Sequence, residues 1–496
     1  MAEKKTAAVI GAGLAGLTSA LILARNGYTV TLVEKSRRVG LTVRGFSREG
    51  VYFDTGLHYT GGLGENGIVS RYLRYLGFGS PELVPFADDC FDEIRFADTG
   101  KTVRLPIGYE RMTGALQAAF PEDAEAVAAY MRAARDGFAK SSLLRFFLGA
   151  QNGPDAIQDP GDAVSLSAYL ETLTADPYLR AALSMHALLY GVSPEEIPFT
   201  QHAYVTASYF DSVHNFAGGG GALIRAFERR LAEENVTVIT GNGVRRILCD
   251  GKRRVTGLAL ETGETIQADA CICTTHPHAL AAMAEDLFRP VYLKRLRSLE
   301  DTASAYMFFG ISETGPECLR GKNLFLCRGP ELGNAFGGRM APEDGPFYVA
   351  SSPQPAGSAK SGIVVVAPGG FDQVARWAAS SRGRRPPGYA AFKEGVVARV
   401  REALVRQCPE LEAVRFVDAA TPLTMRDYLD APRGGLYGCK HTVSQFNPLP
   451  LTRSPNLWLA GQSVIAPGLM GAMISGFLAC GFLLGHSTLH EEMAWT

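Results

Sequence analysis

Gly11, Gly13 and Gly16 stand in the spacing G-x-G-x-x-G, and Glu34 comes 18 residues after the last of them. The surrounding stretch, TAAVIGAGLAGLTSALILARNGYTVTLVEKS, reads as an apolar strand, a glycine turn, an apolar helix and a second strand ending at Glu34. That is a complete βαβ unit. Gly11 permits the tight turn, Gly13 lets backbone approach a pyrophosphate, and Gly16 lets helix and strand pack closely. The free N–H groups of the helix N-terminus face the phosphate charge, and Glu34 is placed to meet ribose hydroxyls. A glycine-rich turn in an ordinary fold would explain the glycines, but not strand, helix and carboxylate in register. The expected ligand is a dinucleotide, and the motif alone leaves NAD and FAD open.

The residues after Glu34 narrow the choice. KSRRVGLTVRGFSREGVYFDTGLHYTGGLG is basic and turn-rich where an NAD-binding chain would continue alternating strands and helices. It suits a cofactor lying extended across the domain, as FAD does. No G-x-S-x-G with a partner set, no H-E-x-x-H and no P-loop is present, so the chemistry would rest with the cofactor.

The segments GAGLAGLTSALILARNGYTVTLVEK, FDTGLHYTGG, FAGGGGALIRAFERRL, VRRILCDGKRRVTGLALETGETIQADACICTTHP, TPLTMRDYL with GGLYG, and LWLAGQSVIAPGLMGAMISG run over nearly the whole chain. Together they resemble the FAD-dependent phytoene desaturase, carotenoid isomerase and retinol saturase group, within the amine-oxidase-like flavoproteins. FDTGLHYTGG, LLYGVSPEEIPF and TPLT are most similar to the retinol saturase-like branch. One departure is Gly40-Leu41, where many relatives have Gly-Gly, with Arg44 displaced from the usual arginine.

The resemblance implies that Gly11, Gly13, Gly16 and Glu34, with Lys35 beside them, bind the ADP half of FAD. Val244 would meet the adenine side by backbone, and Gly461 and Gln462 would approach the pyrophosphate and ribityl chain. Leu469 and Met470, in PGLMGA, would lie beside the isoalloxazine. Physics supports the last placement independently, because a helix beginning near Gly468 would offer its positive end to the negative charge of a reduced flavin.

FDTGLHYTGG would by the same resemblance run past the flavin ring, which makes His58 and Tyr59 the candidate proton donors for a C=C bond receiving hydride. The alternative is that His58 bonds backbone and Tyr59 lines the core. Asp54, before Thr-Gly, reads as a turn-fixing carboxylate, and His276 and His278 as loop or cap residues. No metal site is expected, since no further Cys/His pair has zinc spacing.

The implied reaction is saturation, desaturation or isomerisation of a long apolar polyene such as a carotenoid or retinoid. Two alternatives stay open: an amine oxidase-type dehydrogenase, whose substrate would want aromatic walls and a carboxylate, and a non-catalytic prenyl- or lipid-binding relative. No separate nicotinamide motif is visible, so the electron donor or acceptor is unknown.

The elements that must position these residues form an α/β protein. Its expected parts are a Rossmann-like FAD-binding domain, discontinuous over residues 1–75, 215–282 and 440–496, and an α+β substrate domain from residues 76–214 and 283–439, with a mixed sheet and a helical cap. EDAEAVAAYMRAARDGFAK and DAVSLSAYLETLTADPYLRAALSMHALLYG have helical periodicity, with Pro177 opening a helix after Asp176. SAYMFFGI, KNLFLC, PFYVAS and SGIVVVA read as strands. SSRGRRPPGY reads as a solvated loop.

The 496 residues, 46% of them hydrophobic, bury large cores, and the net charge of −1 argues against nucleic acid as a partner. Nine scattered cysteines do not suggest a disulfide framework, and Cys271 and Cys273 fall on one strand face. No charged side chain lies between Arg453 and Glu491, yet LWLAGQSVIAPGLMGAMISGFLACGFLLG divides into a strand, a turn and a helix of about 17 residues, short for a membrane span. Ala7–Ala24 imitates a signal peptide, but its glycines suit the βαβ unit better. The expected location is cytoplasmic. SLLRFFLG leaves open a peripheral contact with the inner face of the membrane or packing in the core.

Overall fold

The computed structural model describes residues 5–140, 163–355 and 357–494. SLLRFFLG lies outside the described residues.

β1 (Thr6–Ile10), α1 (Leu14–Arg25) and β2 (Thr29–Glu34) form the βαβ unit. Farther along come α2 (Gly219–Glu233), β3 (Thr237–Thr240), β4 (Ala270–Cys273), β5 (Leu457–Leu459) and α3 (Gly468–Leu484). The strands make a five-stranded parallel sheet in the order β5-β4-β1-β2-β3. Ala8 of β1 pairs with Cys271 on one side and Thr31 on the other. Ala7 to Ile10 are buried, as a parallel strand covered on both faces requires. A three-stranded antiparallel sheet of Val244–Cys249, Val255–Leu260 and Thr265–Gln267 sits alongside.

The uncharged C-terminal run is β5, a turn and the 17-residue α3. Its glycines have a packing reason. A Cβ on Gly476 would stand 3.0 Å from the Ala15 carbonyl of α1, so the two helices touch backbone to backbone. Among the described residues no helix is long and apolar enough to cross a membrane.

A seven-stranded mixed sheet takes its strands in the order Arg415–Ala420, Ser304–Ser312, Ser361–Gly369, Phe347–Ser352, Asn323–Cys327, Asp92–Phe96 and Thr102–Leu105. The four strand-like runs from residues 304–367 are all in it. The last two strands, DEIRF and TVRL, come from residues 76–214, where only helical stretches were read from the sequence. Each is short, and DEIRF carries charge that only its partners absorb: Glu93 pairs with Lys322 at 2.6 Å and Arg95 at 2.8 Å.

Register builds one continuous row across this sheet: Ala420, Met307, Val366, Tyr348, Phe325, Ile94 and Val103. At its far end, Phe325, Ile94 and Val103 pack under the helices of the cap, including Ala124–Lys140, Pro177–Ser184 and Phe199–Ser208. Asp176 caps the second of these helices, accepting from the N–H of Tyr178 at 2.7 Å and of Leu179 at 3.1 Å. The opposite sheet face, with Phe308, Val349 and Val365, is covered by the helix Pro387–Gln407. The near end of the row is left facing a cavity.

Candidate functional site

One cavity of about 1000 Å³ runs from the glycine turn to that sheet face. Gly11 turns with φ +94°, and a Cβ there would meet Thr274 Oγ1 at 2.7 Å. A Cβ on Gly16 would lie 1.9 Å from the Gly11 carbonyl oxygen, whereas Gly13 opens on empty space. Helix α1 starts from Gly13 with no side-chain cap and no acidic residue in its first turn. Its free N–H groups therefore face the cavity.

Glu34 joins β2 to this turn: Oε2 accepts from Ala12 N–H at 2.8 Å and Oε1 from Ser36 N–H at 2.8 Å. Each oxygen keeps a lone pair for a ligand hydroxyl. Lys35 pairs with Asp430 at 2.5 Å on the cavity rim, and Val244 lines the same end with Gly243 and Glu261. Arg44 is not among the lining residues. It is ion-paired with Glu228 of α2, and its Nε donates to the Val39 carbonyl at 3.0 Å.

The other end is built by the turn before α3. Gly461 N–H donates to Ser475 Oγ at 2.7 Å, and His441 Nε2 donates to the Gln462 carbonyl at 2.7 Å. Gly461, Gln462 and Leu469 line the cavity. Met470, one residue on, instead lines a smaller apolar cavity with Tyr204, His441 and Ile474. Helix α3 starts uncapped behind Pro467, and Gly468, at φ +81°, has nothing within 4 Å of where a side chain would stand.

His58 is in the cavity wall, its ring centroid 5.5 Å from that of Tyr348. Its Nδ1 has no hydrogen-bond partner, and burial pushes the imidazole down to about 4. It is therefore neutral at neutral pH. Tyr59 lies behind the wall: its hydroxyl donates to Asp92 Oδ2 at 2.8 Å, an oxygen also 3.0 Å from His186 Nε2. Burial foremost, and then the Asp92 charge, push that phenol well above its ordinary pKa.

Asp54 does not merely fix its own turn. It accepts from Gly220 N–H at the start of α2 at 2.9 Å, from the Tyr52 hydroxyl at 2.7 Å and from Asn215 Nδ2 at 3.3 Å. The carboxylate caps a helix 166 residues away in sequence, a partner that local spacing cannot reveal. Burial raises it to about 6. His276 caps a helix as expected, with Nδ1 accepting from His278 N–H at 3.3 Å. Its Nε2 also meets Asp301 at 2.8 Å and Cys439 Sγ at 3.6 Å. In SSRGRRPPGY, Arg382 and Arg384 are exposed, but Arg385 is half-buried against Asp427 at 2.5 Å.

Reading the sequence missed Tyr348 and Tyr437, both in the cavity wall, and the pair Asp92 and His186 behind it. Tyr437 had a visible signal in GGLYG. The other three sit in ordinary strand or helix sequence.

The arrangement fits FAD. Two uncapped helix N-termini, α1 for a pyrophosphate and α3 for an electron-rich ring, open on one elongated cavity. Gly11 and Gly16 leave no room for a Cβ, because Thr274 or backbone already occupies it, and Gly461, at φ +111°, would bring one within 3.2 Å of the Thr274 carbonyl oxygen. Contact between α1 and α3 holds the two ends in fixed relation.

Comparison with known proteins agrees with this chemistry. Residues 14–317 match the family of flavin containing amine oxidoreductases. The chain is 26% identical to the all-trans-retinol 13,14-reductase of Rattus norvegicus, over 99% of this chain and 87% of the relative. It is 26% identical to the 4,4'-diaponeurosporene oxygenase of Staphylococcus aureus, over 69% of this chain and 71% of the relative. The crystal structure of an oxidoreductase from Methanosarcina mazei shares the fold, with a TM-score of 0.67 at 16% identity, covering 96% of this chain and 99% of that one. With the glycine turn, the two helix ends and the family match in agreement, the chain belongs to the flavin containing amine oxidoreductases and is an FAD-dependent oxidoreductase.

Proposed function

We propose that this protein acts on C=C bonds of a long apolar polyene, by saturation, desaturation or isomerisation. The observation that carries the reading is the wall beyond the flavin end. Ala305, Met307 and Phe309, alternate residues of one strand, join Val366 and Ala420 to give an apolar face continuous with the cavity at His58 and Leu469. A flat conjugated chain can lie along it. The relatives named for retinol and diaponeurosporene support the substrate class.

An amine reading wants a carboxylate free to face an ammonium, and the wall carboxylates Asp418 and Asp427 are paired with Lys393 at 3.0 Å and Arg385 at 2.5 Å. Asp54, bonded to the Asn215 that also holds the His58 carbonyl at 2.7 Å, is buried at 0% exposure with Tyr52 and Gly220 as further partners.

Bound FAD supplies or accepts hydride. The protein's part is to bind and orient. Gly11, Gly13, Gly16, Glu34, Lys35 and Val244 hold the ADP half, and Gly461, Gln462 and Leu469 the flavin half, while Met470 lines the smaller apolar cavity instead. His58 borders the reacting chain as a neutral hydrogen-bonding group, and Tyr59 positions it from behind. Residues 1–75, 215–282 and 440–496 form the FAD-binding domain in this reading, and 76–214 with 283–439 the substrate domain.

Delivery of an apolar substrate suits a protein resting on the inner membrane face. Val291 and Phe446 are 81% and 67% exposed, Leu449 and Leu451 follow Phe446 at the surface, and Arg295, on the same helix as Val291, donates to the Phe446 carbonyl at 2.7 Å. Exposed Arg289, Lys294 and Arg453 add positive charge, the complement of an anionic lipid surface. The electron partner is unidentified.

Anaerobic mixing tests the function. The reduced holoenzyme should reoxidise on adding a polyene, or the oxidised form should bleach with one. Bleaching by amines alone would replace the reading.

A further inference from the structure

The tyrosines around the cavity differ in what their hydroxyls do. Tyr389 is hydrogen-bonded to Thr421 at 2.8 Å and Tyr59 is committed to Asp92 behind the wall; the Tyr348 hydroxyl has no partner but is sealed within the protein, and Tyr428 stands exposed under Arg382. Tyr437 lines the cavity, and its hydroxyl makes no hydrogen bond to a described residue.

Its backbone is fixed. Tyr437 N–H donates to Thr302 Oγ1 at 3.0 Å, Leu436 N–H to the Ala303 carbonyl at 3.2 Å, and the Gly438 carbonyl accepts from Thr302 N–H at 2.9 Å. Cys439 N–H donates to Ser463 Oγ at 3.0 Å, which ties the same loop to the turn before α3. The ring packs so closely on Gly191 that a Cβ there would stand 3.2 Å from it. A phenol with a free hydroxyl is thus held rigidly where the flavin end of the cavity meets the apolar wall.

We propose that Tyr437 is the proton donor of C=C reduction. The hydride arrives at one carbon from the reduced flavin while the Tyr437 Oη–H bond breaks and its proton goes to the other carbon. The C=C π bond is consumed and two C–H bonds form, and water reprotonates the phenolate after product leaves. This rests on the C=C reading above.

Burial raises the Tyr437 phenol to about 12, so the proton is present at any working pH. His58, neutral and without a charged partner, is a weaker acid than a phenol.

The test uses the FAD-loaded enzyme and Tyr437→Phe, reduced anaerobically with dithionite and mixed with all-trans-retinol or a hydrocarbon carotene. Binding to the oxidised form is read separately, from the shift each ligand produces in flavin absorption. Flavin content should match wild type. Reoxidation should slow about 100-fold or more while the dissociation constant stays within about twofold, the pattern of a lost general acid. Unchanged reoxidation in Tyr437→Phe, or binding weakened in step with the rate, overturns the proposal. A wild-type enzyme that reoxidises with no polyene refutes the C=C reading itself, and this proposal with it.

Discussion

The Tyr59 hydroxyl donates to Asp92 Oδ2 at 2.8 Å in the interior, where Asn323 Nδ2 holds the other carboxylate oxygen at 2.9 Å. The bond fastens the FDTGLHYTGG loop to the seven-stranded sheet, so that Tyr59 faces the sheet and His58 the cavity.

Tyr59→Phe should cost about 1–2 kcal/mol, since Asp92 loses one of its partners but keeps His186 and Asn323. Urea unfolding followed by fluorescence measures it. Reoxidation by a polyene should fall less than about tenfold, the effect of a positioning residue. A much larger kinetic loss at unchanged stability would put Tyr59 in the chemistry.

Gly16→Ala should strip the protein of FAD. The new methyl would stand 1.9 Å from the Gly11 carbonyl oxygen, and α1 must move off the turn that cradles the pyrophosphate. The ratio of flavin absorbance to protein after gel filtration should drop about tenfold or more; full retention would contradict the assignment of this turn.

Stability should carry a pH signature from Asp54. Its folded pKa, about 6, lies above the ordinary 3.8, so the native state binds more protons between those values. Its contribution is complete below about pH 4 and is lost as pH rises through 6. Asp54→Asn should remove a fall on the order of 1–3 kcal/mol between pH 4 and pH 7. The difference between wild-type and variant denaturation midpoints across that range is the measurement, and parallel curves would refute it.

Phe446→Ser with Leu449→Ser should weaken binding to phosphatidylserine-containing vesicles about tenfold, and Arg295→Glu should weaken it further at low salt. Co-sedimentation reads both. Equal binding of wild type and variants, or of charged and neutral vesicles, would move membrane contact elsewhere or dismiss it.

Much of the frame was legible in the chain itself. Glycine spacing and alternating apolar periodicity are local properties, and they sufficed for β1, α1, β2, the strands from 304 to 367 and the division of the C-terminal run into strand, turn and helix. Strands 92–96 and 102–105 were not legible as sheet members, because their place depends on pairing with residue 323 onward.

The site divides in the same way. Gly11, Gly16 and Glu34 act on neighbours within one βαβ unit, so their spacing states their role. Asp54 caps a helix that begins at Gly219, Tyr59 meets Asp92, and Tyr437 joins Leu469 on one cavity wall. Each of these depends on where packing turns a side chain across large separations in sequence. The sequence by itself determined which cofactor chemistry the chain carries. Only the tertiary structure decided which hydroxyls are spent on holding the fold, because their partners lie far away in the chain and meet them only through packing.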